Sequence, residues 1–221
     1  VNSPAPSGDL FRQRAEYDAA EVLGEGAFVL RSFALPVETP LLEALRTVTQ
    51  QASFRHMQTP GGRRMSVAMS NCGSLGWVTD PGGYRYTALD PETGDPWPAM
   101  PAVLLELAAG AAARAGFPAY LPDSCLINRY VPGARLSLHQ DRNELDLDEP
   151  IVSISLGLPA VFLFGGVRRK ERPLRVPLAH GDTVVWGGPA RLRYHGVSPL
   201  ADGMHPLLGR VRFNLTFRKA G

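Results

Sequence analysis

Residues 124–166 read SCLINRYVPGARLSLHQDRNELDLDEPIVSISLGLPAVFLFGG, and their texture decides the fold. Short runs rich in β-branched and aromatic residues, SCLINRY, ARLSLHQ, PIVSISLG and AVFLFGG, alternate with turn residues. The same texture continues through LRVPLAHGD, TVVWGG, RYHGV and RFNLTFR. Strands this short and this regularly punctuated predict an all-β sandwich or jelly roll over about 124–221. The 23 glycines and 20 prolines in 221 residues agree, because an excess of turn formers excludes long helical bundles.

Upstream of this region, FVLRSF (Phe28–Phe33) predicts a first strand. Thr39 before Pro40 predicts the cap of a helix, LLEALRTVTQQ, with Leu41, Leu42, Leu45 and Val48 on one stripe. Val103, Leu104, Leu107 and Ala111 repeat at helical spacing, so a second helix is expected from about Pro101 to Ala115, stopped by Gly116 and Pro118. Both helices are expected to cover a sheet. The polar, glycine-spotted stretch from Pro60 to Pro98 predicts short strands and a lid, taken as about residues 50–100. The whole is one mainly β domain with flanking helices over 26–221, and residues 1–25 are expected to be a disordered lead-in.

The 23 basic and 21 acidic residues leave a net charge of +2, too weak for a protein that coats DNA over its whole surface, so any nucleic-acid contact must be local. Lysine occurs only at Lys170 and Lys219, which reflects either planar recognition of anions by arginine or a GC-rich genome. Cys72 and Cys125 form neither a C-x-x-C pair nor a disulfide framework, so they are read as buried, inert thiols of a reducing compartment. No apolar run is long enough to span a bilayer, and the N-terminus lacks a signal-peptide core. A cytoplasmic location without membrane contact follows as the expectation.

His139, Gln140 and Asp141 end the run RLSLHQD, where a period of two sets the histidine and aspartate on one face, about 7 Å apart along the strand. His195 in RLRYHGV can return on a facing strand and complete two histidines and one carboxylate. Such a facial set leaves coordination positions open, as non-haem Fe(II) oxygenases require. Polar strand ends are the bland alternative. His180-Gly181-Asp182 spells the same H-x-D, but it lies between two apolar runs and reads as a turn feeding a strand. His56 and His205 lack ligand-like spacing.

In RFNLTFR, Arg212, Asn214, Thr216 and Arg218 share one face, and Phe213, Leu215 and Phe217 the other. A polar face in water is the ordinary reading. Two arginines on one buried face would instead clamp the ends of a small dicarboxylate through fork-shaped, charge-assisted hydrogen bonds. Asn128 and Tyr130 of SCLINRY again share a face and would add neutral donors.

Taken together, TPGGRRMSVAMSNCGSLGW, DPETGDPWPAMP, LINRYVPGARLSLHQDRNE, PIVSISLGLPAVFLFGG, HGDTVVWGG, RYHGV and RFNLTFR, in order over roughly 50–220, resemble the AlkB family of Fe(II)/2-oxoglutarate dioxygenases that repair alkylated nucleic-acid bases. The resemblance implies a double-stranded β-helix with an N-terminal nucleotide-recognition lid and iron on His139, Asp141 and His195. It implies 2-oxoglutarate on Asn128, Tyr130, Arg212, Asn214 and Arg218, with Arg212 at the distal carboxylate and Arg218 nearer the metal, among the catalytic residues. Trp77, Tyr84, Tyr86, Asn143 and Arg169 fall at its substrate-contact positions, with Trp77 expected to stack on the damaged base and His139 on the opposite face. Core packing is the bland reading of the aromatics, and a solvated hairpin tip that of Arg168–Arg172. One position departs from the family's pattern: Asn143 stands where that pattern has aspartate.

The implied activity is oxidative dealkylation of bases of the 1-methyladenine and 3-methylcytosine type, using Fe(II), 2-oxoglutarate and O2 and releasing formaldehyde, succinate and CO2. Flipping a base costs a few kcal/mol and least where pairing is already lost, so alkylated single-stranded or locally opened DNA is the expected partner of a monomeric enzyme. RNA or a protein side chain as the target, and a jelly-roll module that binds without turnover, are the rival readings.

Overall fold

The structure, a computed structural model, describes residues 20–221. The first half of the chain forms β1 (Glu21–Gly24), β2 (Ala27–Leu30), α1 (Glu38–Gln51), β3 (Ala68–Gly73), β4 (Gly76–Asp80), β5 (Gly83–Thr87) and α2 (Ala102–Arg114). The second half is all strand: β6 (Ser124–Tyr130), β7 (Leu136–His139), β8 (Ile151–Gly157), β9 (Ala160–Phe164), β10 (Leu174–Leu178), β11 (Thr183–Trp186), β12 (His195–Val197) and β13 (Arg212–Arg218). Residues 1–19 of the expected disordered lead-in lie outside the described residues, whereas Glu21–Gly24, expected to belong to it, pair instead with β2 in an antiparallel hairpin.

The eight strands β6–β13 divide between two antiparallel sheets. One runs β10-β9-β12-β7, and the other contains β11-β8-β13-β6. This interleaving is the jelly roll expected from the strand spacing, and the double-stranded β-helix that the resemblance implies. The larger sheet is extended by β1-β2 beyond β11 and by β3 beyond β6, giving seven strands, while β4 and β5 form a separate hairpin. Thus β3, inside the stretch read as lid, is an edge strand of the main sheet.

Alternation along the larger sheet sorts its two faces. Leu215 and Phe217 of β13, Val152 and Ile154 of β8 and Ile127 of β6 turn outward and pack with Leu41, Leu45 and Val48 of α1 and Leu104 and Ala111 of α2. Each such leucine removed from water contributes about 1.5–3 kcal/mol before conformational entropy is counted. The helices therefore cover the sheet, as their stripes predict. Thr39, however, does not cap α1. The N-cap is Val37, without a side-chain bond, because the preceding turn already occupies the first donors: Val37 N–H reaches Ala34 O at 3.2 Å and Glu38 N–H reaches Leu35 O. α2 ends as expected, with Gly116 at φ +92° and Phe117 N–H returning to Ala112 O at 2.9 Å.

Between the sheets, Phe162, Phe164, Val184 and Trp186 fill one end with apolar bulk. The other end holds polar inward residues, Asn128 of β6, Ser153 and Ser155 of β8 and Arg212, Asn214, Thr216 and Arg218 of β13, beside the apolar Leu126. Cys72 and Cys125 are fully buried, unpaired thiols that face each other across β3 and β6. Among the described residues, no helix is long and apolar enough to cross a membrane.

Candidate metal and 2-oxoglutarate site

β12 is not the facing strand expected for His195 but the hydrogen-bonded neighbour of β7, with His195 directly opposite His139. A bulge between His195 and Val197 and the glycine between them permit this: a Cβ on Gly196 would lie 2.6 Å from Leu136 O. Asp141 lies just beyond the end of β7. The three side chains meet, with one ligand atom from each within 4.8 Å of the others. His139 Nδ1 lies 2.9 Å from Ser137 O and His195 Nδ1 lies 3.1 Å from Arg193 O. Each Nδ1–H donating to a carbonyl leaves the Nε2 lone pair for a metal. Those Nε2 atoms stand 3.5 and 3.7 Å from the two Asp141 oxygens, so the donor set fits a divalent ion with open positions.

Electrostatics hold the set in its ligating form. Burial alone would raise the Asp141 carboxyl, but Arg218 and the two imidazoles keep it well below the usual carboxylate range. Arg218 Nε and Nη2 lie 2.8 and 2.7 Å from Asp141 Oδ2. Burial, with His139 alongside, draws His195 down to about 3. His180 has no share in this. Its Nδ1 accepts the Gly157 N–H at 2.8 Å and its Nε2 meets Glu38 Oε1 at 2.6 Å. Gly181 takes φ +87°, and Asp182 accepts the Ser32 and Ala179 amides, so this H-x-D is the turn that its setting predicts.

A cavity of about 670 Å³ opens beside His139, Asp141 and His195, lined by Asn128, Tyr130, Arg212, Asn214, Thr216 and Arg218 among others. The polar face of β13 is therefore buried rather than in water. Arg212 is 1% exposed. Its Nη2 donates to Ser155 Oγ at 3.0 Å, while Nε and Nη1 have no partner. Arg218 Nη1 is also without a hydrogen-bond partner, and the Tyr130 hydroxyl faces the Arg212 guanidinium. Buried cations and donors left open in this way call for an anion with several acceptors, and a dicarboxylate lying between Arg212 and the His139, Asp141 and His195 cluster would supply them. Asn214, which lines the cavity, also braces its wall: its amide donates to Ser153 Oγ at 2.7 Å and accepts from Asn128 and Thr216.

Trp77, Tyr84, Asn143 and Arg169 line the same cavity. Trp77 and Tyr84 stack with centroids 5.7 Å apart, and Arg169, at the exposed tip 168–172, lies 5.9 Å from the Tyr194 ring. Tyr86 is not among the lining residues. It gives its hydroxyl to Glu144 Oε1 at 2.6 Å. Sequence reasoning did not connect Glu144 with its buried partner Arg191, 47 positions away, for which no spacing signal exists. It also missed Trp186, whose ring lies 4.9 Å from that of His195; the inward alternation of TVVW was the available clue.

The chain matches the family model described as the 2OG-Fe(II) oxygenase superfamily over residues 26–218. It is 55% identical over 212 residues to the alpha-ketoglutarate-dependent dioxygenase AlkB of Salmonella typhimurium, covering 96% of this chain and 97% of that protein. It is 54% identical to its Escherichia coli namesake, covering 96% and 98%. A solved structure, "The structure of OsALKBH1", superposes with a TM-score of 0.77 at 28% identity, covering 90% of this chain and all of that one.

Proposed function

The chain belongs to the 2OG-Fe(II) oxygenase superfamily, and from that membership and its site we propose that it oxidatively removes N-alkyl groups from nucleic-acid bases, acting on single-stranded or locally opened DNA. The observation that carries this reading is that one cavity joins the His139, Asp141 and His195 donors, the open Arg212 guanidinium and the Trp77–Tyr84 platform. Bound Fe(II), with 2-oxoglutarate and O2 as cosubstrates, supplies oxidation of the alkyl carbon, so that a methyl group leaves as formaldehyde and the cosubstrate as succinate and CO2.

The protein's own part is binding and orientation. His139 and His195 present neutral Nε2 atoms, and Asp141 stays ionised beside Arg218. Arg212, with the Tyr130 hydroxyl and the Asn128 amide, holds the distal end of 2-oxoglutarate by charge-assisted bonds. Trp77 and Tyr84 offer an aromatic face to a flipped base, for which stacking is worth about 1–3 kcal/mol. Arg63, Arg64, Arg142 and Arg169, all at the cavity, suit the phosphates of the strand. The two free, buried thiols support a cytoplasmic setting.

The test is product release with matched substrates. A 1-methyladenine oligodeoxynucleotide should yield formaldehyde and succinate in equal amounts, and the unmodified oligonucleotide only slow succinate release. Faster turnover of methylated RNA or of a methylated peptide would reassign the target, and binding of 2-oxoglutarate without succinate formation would reduce the protein to a ligand-binding module.

A further inference from the structure

Glu144 is buried, with its side chain 2% exposed, and both of its oxygens are engaged. Oε1 accepts the Tyr86 hydroxyl at 2.6 Å and lies 3.5 Å from Arg218 Nε. Oε2 accepts from Arg191 Nη2 at 3.1 Å. Arg191 also donates to the backbone carbonyl of Asp141 at 3.0 Å and to that of Glu149 at 3.0 Å, while Arg218 grips the Asp141 carboxylate itself. Two buried guanidinium groups thus face two buried carboxylates, Asp141 and Glu144. On the other side, Tyr86 sits opposite Trp77 in the β4–β5 pairing, and that hairpin belongs to neither sheet of the jelly roll.

We propose that Glu144 is a positioning residue that ties the Trp77-bearing hairpin to the Asp141 carboxylate, through Tyr86 on one side and Arg191 with Arg218 on the other. The proposal rests on reading His139, Asp141 and His195 as the metal ligands. Its physical basis is charge balance. Neutralising Glu144 leaves two guanidinium groups against one carboxylate: Arg191 loses its charged partner, and Arg218, left with Asp141 alone, competes more strongly with the metal for it; stranding a buried charge in this way is costly. The same change releases the Tyr86 hydroxyl, one of the hairpin's ties beside the Asn71 bonds to Trp77, so a base seated on Trp77 is held less closely at a set distance from the oxidising centre. Glu144 thus adds to the Asn71 anchor of the Trp77 backbone a link that runs from the hairpin to the Asp141 carboxylate.

Glu144→Gln and Tyr86→Phe test this with two readouts. The first is Co(II) affinity, followed by its visible absorption in the presence of 2-oxoglutarate. The second is the amount of formaldehyde formed per succinate on a methylated oligonucleotide. Glu144→Gln should weaken Co(II) binding about tenfold, equivalent to about 1.4 kcal/mol. In both variants formaldehyde per succinate should fall about threefold or more, the scale of coupling between contacting residues. A merely structural Glu144 would depress both products together. Co(II) affinity within twofold of wild type in folded Glu144→Gln, or an unchanged product ratio in Tyr86→Phe, overturns the proposal. Should Glu144→Gln fail to fold, the Tyr86→Phe ratio decides. A wild-type chain that binds no Co(II) would instead overturn the metal reading beneath it.

Discussion

His139 and His195 face each other across the antiparallel pairing of β7 with β12, their rings 4.4 Å apart and inclined at 55°. Opposed residues on neighbouring strands project to the same side. The two imidazoles therefore converge without any loop having to place them, and a residue two positions beyond His139 needs only to follow the strand's end to bring Asp141 between them. The convergence of these three donors is a consequence of register. A slip of one residue in this pairing would send one histidine to the opposite face.

The register makes the first prediction sharp. Asp141→Ala should abolish Fe(II) binding and turnover, whereas His180→Ala should retain iron, because His180 is committed to Gly157 and Glu38. Iron content after anaerobic loading and desalting checks both. Loss of iron from a folded His180→Ala variant would move the site to the other H-x-D.

Much of this was legible in the chain, for identifiable reasons. Period-two alternation exposed the polar face of RFNLTFR, and turn chemistry separated the two H-x-D segments. What alternation cannot supply is pairing. It set His195 on a strand but not on which one, and it left Glu144 and Arg191 unconnected, since only the folded sheets bring them together. Tyr84 and Tyr86 show the same limit within one strand. They share a face, yet one stacks on Trp77 and the other leans away to Glu144. The misread cap at Thr39 is local instead, because a turn of 3-10 helix upstream had already met the donors that a threonine would cap.

Arg212 is a buried cation with two open donors. Hydrogen bonds to charged groups are worth about 1.5–3 kcal/mol each. Arg212→Ala should therefore raise the KM for 2-oxoglutarate about tenfold or more, at about 1.4 kcal/mol per decade. Steady-state succinate formation over a range of 2-oxoglutarate concentrations measures it, and an unchanged KM would remove Arg212 from the cosubstrate site.

Trp77 is held by its own backbone, whose N–H and C=O both bond to the Asn71 side chain at 3.0 Å, so trimming its ring should leave the hairpin in place. Trp77→Ala should weaken binding of a methylated oligonucleotide by roughly 5- to 150-fold, the loss of one base-stacking contact. Succinate release without substrate should persist. If both fall together, Trp77 serves the fold instead of the base.

Acid should destabilise the metal-free protein through His195. Its folded value is drawn from 6.5 down to about 3, so between those values the unfolded chain binds a proton that the native state refuses. Stability attributable to this residue is therefore intact above about pH 6.5 and is lost as pH falls through the window toward 3. Urea unfolding at about pH 7 and about pH 4.5 should show a larger loss for wild type than for His195→Gln, whose amide does not titrate. Equal losses would assign the acid sensitivity to other groups.

Asn143 bears on which lesions are accepted. Among the described residues lining the cavity, Asp141 is the one carboxylate, and it is committed to Arg218; Glu144, next to Asn143 in the chain, is turned inward to Tyr86 and Arg191. A cationic base such as 1-methyladenine therefore meets an amide, which can accept a hydrogen bond from an exocyclic amine but carries no net charge. Placing a carboxylate there adds Coulomb attraction for cationic lesions alone, and the attraction strengthens where water is excluded. Asn143→Asp should thus raise the ratio of kcat/KM for 1-methyladenine to that for neutral 1-methylguanine, measured at one pH and salt concentration. Because Asn143 is exposed at the cavity wall, the substitution leaves packing intact, and a ratio that stays level or drops would mean that charge at this position does not select the base.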